Sequence, residues 1–269
     1  MKGGSAENQS PDINRIKRRR YASEDFGESY DERYAGGVNL VNTAVERAWT
    51  ATHLAGEPLL DAGAGTGRIA AWLTGRGAPV FPLDSSFNML AHLKGKVPGL
   101  PATAGDLYRL PFGDGCFGAV ICLHVLFHLP DWPAALAELA RVLKPGGSLI
   151  FEIRSGEHVR LAKKVLRSSV TRPEEAGPGD PATATIYATR PEVRRALADT
   201  GLSLEKTLAY DIGHSYWFRP LAGLAERALK ASGLVRRLWA ALELGAGRWT
   251  PASLLYRTLY LCRKDDLSR

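Results

Sequence analysis

Three cysteines in 269 residues are too few and too scattered to staple a fold. Cys116, Cys122 and Cys262 form no CxxC pair and no metal-ligand spacing, so neither a disulfide framework nor a metal site is expected. No apolar run approaches the ~20 residues of a membrane-spanning helix. The polar N-terminus lacks the apolar core of a signal peptide. Internal repeats are absent too. Together these absences predict an intracellular, cytoplasmic protein with free thiols. What is present is ordinary for a globular chain: 45% hydrophobic and 23% charged residues, enough for one large core with appendages.

The net charge of +7 is unevenly spread. Residues 1–20 hold six Lys/Arg against two acids, residues 214–269 hold ten against four, and the span between is slightly acidic. The ends read as solvated flanks, and a nucleic-acid partner is disfavoured because the central part carries no basic surplus.

The apolar rhythm divides the chain. A basic segment 1–20 precedes an aromatic and acidic stretch, Tyr21 to Tyr34, and a helix from about Val38 to His53. From Pro58, short apolar runs (Leu59-Leu60, Val80–Leu83, Ala119–Leu123, Ser148–Phe151) alternate with helical patterns at about 67–76, 86–95 and 132–143. Lys144-Pro145-Gly146-Gly147 predicts a helix stop and a tight turn. Continuous apolar strands alternating with helices predict a doubly wound α/β fold, its parallel sheet covered on both faces. Further on, 171–185 reads as a loop, Pro191–Asp199 as a helix, 203–211 as a strand, 219–243 as helical and Ser253–Cys262 as a last strand. The expected organisation is a basic N-terminus (1–20), a helical cap (21–56), an α/β core (57–212), a helical insertion or lid (213–252) and a last strand with its tail (253–269).

One string carries chemistry: Leu59-Leu60-Asp61-Ala62-Gly63-Ala64-Gly65-Thr66-Gly67-Arg68-Ile69-Ala70. A strand must turn sharply into a helix here. Glycine permits positive φ and close backbone approach, and the helix start offers N–H donors. Alone, G-x-G-x-G also suits a dinucleotide. Three acids narrow it. Asp84, 17 residues past Gly67, falls at the second strand's end, where a carboxylate can accept ribose hydroxyls. Asp61, beside the turn, would repel a pyrophosphate and suit a cationic ligand. Asp106, after Ala104-Gly105, can accept from an adenine amino group while Leu107 offers its backbone N–H.

These pieces, with Leu83-Asp84-Ser85-Ser86 and Met89-Leu90, Gly105–Phe112, Phe117–His128 and Glu138–Gly147, resemble the class I methyltransferases that use S-adenosylmethionine (SAM), of the small-molecule branch that includes quinone-biosynthesis enzymes. The five motifs cover about residues 57–155. The resemblance implies a Rossmann-like, seven-stranded sheet with its last strand antiparallel, a helical lid before it and a helical insertion near the C-terminus. It implies SAM as cofactor, without a metal, held by Tyr34, Asp61, Gly63, Ala64, Gly65, Gly67, Asp84, Ser85, Met89, Asp106, Leu107, Cys122 and Leu123. Phe117-Gly118 departs from the Phe-Asp common in the family, and a structural consequence only is expected.

His124 and His128 follow the fourth strand, where the resemblance places groups facing the acceptor. Either could take a proton from an acceptor hydroxyl, since histidine titrates near neutrality, and either could instead be a core or helix-start residue. His158 and His214 are weaker candidates. Tyr30-Asp31-Glu32-Arg33-Tyr34 is similar to the family segment that closes over the cofactor, and could equally staple the N-terminus to the core. The apolar and basic tail, with Leu224, Leu234, Leu238, Arg227 and Lys230, leaves three readings open: core packing, a lid over a hydrophobic acceptor pocket, or peripheral membrane contact. The expected partner is a small-molecule methyl acceptor, lipophilic or aromatic. The alternatives are methylation of RNA or protein, or SAM binding without transfer. No Pro-Pro dipeptide and no Pro-Cys pair occurs, so neither the exocyclic-amine motif nor the cysteine-nucleophile motif of nucleic-acid methylation is present.

Overall fold

The computed structural model describes residues 26–166 and 185–266. The basic segment 1–20, the start of the aromatic stretch and nearly all of the loop expected over 171–185 lie outside the described residues. In chain order the strands are β1 (Leu59–Ala62), β2 (Val80–Asp84), β3 (Thr103–Ala104), β4 (Phe117–Cys122), β5 (Leu143–Ser155), β6 (Tyr187–Ala188), β7 (Leu202–Tyr210) and β8 (Arg257–Lys264). The helices are α1 (Phe26–Tyr34), α2 (Gly37–His53), α3 (Ala70–Thr74), α4 (Phe87–Lys96), α5 (Trp132–Val142), α6 (Gly156–Leu166), α7 (Arg190–Ala198), α8 (Ala222–Ala231) and α9 (Gly233–Ala246).

The sheet runs β3-β2-β1-β4-β5-β8-β7, with β6 paired to the end of β5. β8 runs antiparallel to both its neighbours, β5 and β7, so the last strand is reversed as expected. The two-residue β6 is an eighth strand that no apolar run announces. Strand order turns back between β1 and β4, and such a switch point opens a crevice at the carboxyl ends of the strands.

Alternate residues of the central strands supply two cores. Leu60, Val120 and Leu149 pack with Leu136 and Leu139 of α5 and Val193 and Leu197 of α7. Leu59, Ile121 and Ile150 pack on the other face with Val41 and Val45 of α2 and Leu73 of α3. Each fully buried leucine or isoleucine contributes roughly 1.5–3 kcal/mol, so this two-sided burial is what holds the strand ends in place. On α2 the spacing Val38, Val41, Val45, Trp49 makes one apolar face, and a single acid, Glu46, is buried within it. α5 begins where Asp131 accepts the Ala134 N–H, with Pro133 in its first turn.

The structure adjusts several boundaries. The helix stop at Lys144–Gly147 is real, α5 ending at Val142, but the segment is a bulge at the base of β5: Phe117 pairs with Leu143, and the next pair is Ala119 with Ser148. The helical stretch 219–243 is two helices, broken at Ser232, whose side chain caps α9 through the Val235 N–H. The last strand starts at Arg257, after a 3-10 turn over Ala252–Leu254. Gly118 has a steric reason. A Cβ there would lie 2.5 Å from the Glu57 nitrogen and 2.7 Å from its oxygen, so an aspartate cannot fit unless the preceding loop moves.

Candidate functional site

The glycine loop closes β1 onto β2 before α3. Gly63 and Ala64 both donate their N–H groups to the Leu83 carbonyl. Gly63, Gly65 and Gly67 all have positive φ, but space separates their roles. A Cβ on Gly63 would meet Val125 at 2.2 Å, and one on Gly67 would meet Leu93 at 2.7 Å. Those two glycines are required by packing. On Gly65 (φ +54°) a Cβ would meet only the Tyr30 ring at 3.9 Å, so this position leaves room for a ligand against the backbone.

That room is a cleft lined by Tyr30, Gly63, Gly65, Asp84, Ser85, Met89, Asp106, Leu107, Tyr108, His124, Val125, His128 and Leu129. Two carboxylates and no lysine or arginine are among these residues, which suits a ligand bearing positive charge and disfavours a phosphate. Asp84 Oδ2 accepts the Gly65 N–H at 2.8 Å and Oδ1 the Ser86 N–H at 2.9 Å, which aims the carboxylate along the loop. Its pKa is raised by burial against those hydrogen bonds. Asp106 Oδ1 accepts the Tyr108 N–H at 3.1 Å. Met89 and Leu107 give the cleft an apolar wall.

Asp61 does not reach the cleft. It is buried, its Oδ2 has no partner among the described residues, and burial raises its pKa to about 7. The charge argument made for it falls instead to Asp84 and Asp106, which line the cleft. Tyr34 also lies behind the cleft, edge-on to the His124 ring and under the Arg68 guanidinium, and its hydroxyl accepts from Tyr30 at 3.4 Å. The lining aromatic is therefore Tyr30, one helical turn earlier. Ala64, Gly67, Cys122 and Leu123 support the loop and β4 without lining the cleft.

His124 lines the cleft but is not a free base. Its backbone is left-handed (φ 63°), its N–H donates to Glu152, and both ring nitrogens are engaged. Nε2 lies 2.6 Å from Glu46 Oε1 and Nδ1 is met by Arg257, which also bonds Asp211. The pattern fits a neutral ring donating from Nε2 and accepting at Nδ1. Burial, only partly offset by Glu46, lowers its pKa to about 4. Glu46 further accepts from Tyr210 at 2.8 Å and Arg68 at 2.6 Å, and its own pKa is lowered despite burial by Arg68 and His124. The proton-acceptor role expected of His124 thus meets a geometric obstacle. His128 lines the same cleft outside this cluster, its ring tilted against that of Phe127 with centroids 4.1 Å apart. His158 (Nδ1 to the Ser253 carbonyl) and His214 (Nδ1 to Asp211) do not line it.

No motif singles out Tyr108, Val125 and Leu129 in the cleft, or joins His124 to Glu46, Arg257 and Asp211; Tyr30 lies in the expected lid segment. A signal existed for part of the cluster: Glu46 is an acid inside the apolar stripe of α2, and Arg257 stands just before the apolar run Leu259–Cys262.

Residues 60–151 match the family model described as a methyltransferase domain. Over 124 residues the chain is 37% identical to the demethylmenaquinone methyltransferase of Beutenbergia cavernae, a match spanning 44% of this chain and 52% of that protein. The chain thus spans about half the length of such curated relatives. The magnesium protoporphyrin IX methyltransferase of Synechocystis, solved with bound S-adenosylhomocysteine, superposes with a TM-score of 0.61 at 19% identity, covering 94% of this chain and 100% of that one. A (4+2) cyclase superposes with a TM-score of 0.53 at 20% identity, covering 85% of this chain and 82% of its own. Over residues 60–151 the chain is similar to a methyltransferase domain, and the solved methyltransferase shares its fold. The α/β core is similar in sequence to part of the demethylmenaquinone methyltransferases.

Proposed function

We propose that the chain transfers a methyl group from SAM to a small-molecule acceptor that is lipophilic or aromatic. The observation that carries this reading is the cleft: a glycine loop open above Gly65, carboxylates but no cation in its lining, and apolar Val125 and Leu129 beyond His128. Bound SAM supplies a methyl group already activated by its sulfonium. The protein's task is then to align, to exclude water and, for a hydroxyl acceptor, to remove a proton.

In this reading Asp84 accepts the ribose hydroxyls, with Ser85 beside it. Asp106 and the Leu107 N–H read the adenine edge, and Met89 packs on its face. Gly63, Ala64, Gly65 and Gly67 shape the approach, Asp61 braces the loop from below, and Cys122 and Leu123 bring β4 to its end. Tyr30 closes over the cleft from α1, backed by Tyr34. His128 serves as the general base where one is needed, and His124, locked by Glu46 and Arg257, holds the floor. The names of the related demethylmenaquinone and protoporphyrin enzymes support a large, flat, apolar acceptor. No helix among the described residues is long and apolar enough to cross a membrane, and we place the chain in the cytoplasm with peripheral membrane contact through its basic C-terminal region.

Methyl transfer from labelled SAM to hydroxyaromatic and quinol-like acceptors tests the reading. Transfer to at least one is expected, with His128→Ala lowering kcat by about 10²-fold and leaving the SAM affinity unchanged. SAM binding without transfer to any acceptor class would reduce the chain to a SAM-binding protein.

A further inference from the structure

Ten large hydrophobic side chains are exposed among the described residues, and six of them fall within residues 221–249. They are Leu221, Leu224, Leu234, Leu238, Leu242 and Trp249, 55–87% exposed. Leu234, Leu238 and Leu242 stand four apart and make one stripe along α9. The opposite faces of both helices are used: Leu229 of α8 and Ala240 of α9 are buried with Val38 and Val41 of α2. The two outward faces therefore lie side by side.

Charge on this hairpin is one-sided. The acids in 221–249 are Glu226 and Glu243, and both are consumed inward. Glu226 accepts the Gly37 and Val38 N–H groups, capping α2. Glu243 is buried and accepts from the Asp211 and Ile212 backbone and from Trp239. What remains exposed with the leucines is Arg227, Arg237 and Arg248, with Lys230 paired to Glu226 at 3.3 Å. A water-facing helix ordinarily balances its cations with acids; a face of leucines and cations alone complements a surface that is apolar below and anionic above.

We propose that the outward face of the α8–α9 hairpin docks on an anionic lipid surface. The leucines and Trp249 enter the headgroup boundary, and Arg227, Arg237 and Arg248 lie at the phosphate level. The purpose of this docking rests on the reading above, that the acceptor is lipophilic. Glu226 ties the hairpin to the start of α2, three residues beyond the last residue of α1, so the docked face holds the Tyr30 lid close to the membrane from which such an acceptor would come.

Cosedimentation with vesicles of phosphatidylcholine, and of phosphatidylcholine mixed with phosphatidylglycerol, tests the proposal on the full chain. The wild type is expected to pellet with the mixed vesicles and to stay in solution with phosphatidylcholine alone. Leu234→Glu with Leu238→Glu, and separately Arg227→Glu with Arg237→Glu, should each lower partitioning by about tenfold or more while the melting temperature is kept, since all four side chains are exposed. Equal partitioning of the variants, or no partitioning of the wild type, overturns the proposal. So does light scattering that finds a wild-type dimer made monomeric by the two glutamates, because the face would then be covered by a second copy. SAM titration on the same samples separates the two claims. SAM binding without vesicle binding removes only the docking, and vesicle binding without SAM binding removes the methyltransferase reading.

Discussion

Gly65 stands at φ +54° with open space where its side chain would begin, whereas the same addition at Gly63 runs into Val125. The two positions should therefore fail differently. Gly65→Ala pays a left-handed backbone cost of about 1–2 kcal/mol and projects a methyl group into the cleft. It should stay folded and lose SAM affinity by about tenfold or more. Gly63→Ala should lose stability as well, because overpacking adds about 1–3 kcal/mol. Chemical denaturation and calorimetry on both variants check the contrast, and an unchanged SAM affinity in Gly65→Ala would remove that residue from the site. Asp61 provides the pH test. Its folded pKa, raised to about 7, lies above the usual carboxylate value, so the folded state holds the proton longer than the unfolded chain does. The stability tied to that proton is present at low pH and is lost as pH rises from about 4 through about 7. Asp61→Asn should flatten this decline, and its melting temperature should exceed that of the wild type at pH 8 more than at pH 5. Parallel curves would place the proton elsewhere.

Among the elements, α1 is tied to both the glycine loop and α4 through one side chain. Asp31 accepts from Thr66 of the glycine loop at 2.6 Å and pairs with Lys96 at the end of α4. Asp31 is partly exposed, so the pair itself contributes little to global stability. Asp31→Ala should raise the SAM dissociation constant several-fold through a faster off-rate, with the melting temperature nearly unchanged; stopped-flow release of SAM reads it. This element was only half legible in sequence. Tyr30 and Tyr34 were both candidates for the lid, and the pitch of the helix, which the residues alone do not phase, turns Tyr30 to the cleft and Tyr34 to the His124 ring. β1, β2, β4 and the centre of β5 were legible because continuous apolar runs have no other use in a two-sided sheet. β6 and β3, two residues each, carry too little pattern to announce themselves.

For the whole molecule, the five motifs specify one half of the sheet well, because a nucleoside-binding turn needs particular residues at particular strand ends. The other half is legible only as a rhythm. Glu46, His124, Arg257 and Asp211 come from α2, the turn after β4, the start of β8 and the residue after β7, and only the assembled sheet brings them together. No spacing rule spans such separations, so the charged floor of the cleft was invisible and His124 read as a base. The acceptor side has the same character, and the (4+2) cyclase with this fold shows that shape alone does not assign a reaction. Calorimetric titration of the full chain with SAM, repeated on Asp84→Ala and with NAD in place of SAM, tests the cofactor assignment most directly. Saturable SAM binding, nearly abolished in Asp84→Ala and absent for NAD, is the predicted result. Full SAM affinity in Asp84→Ala would contradict the ribose contact, and NAD binding in the absence of SAM binding would contradict the account as a whole.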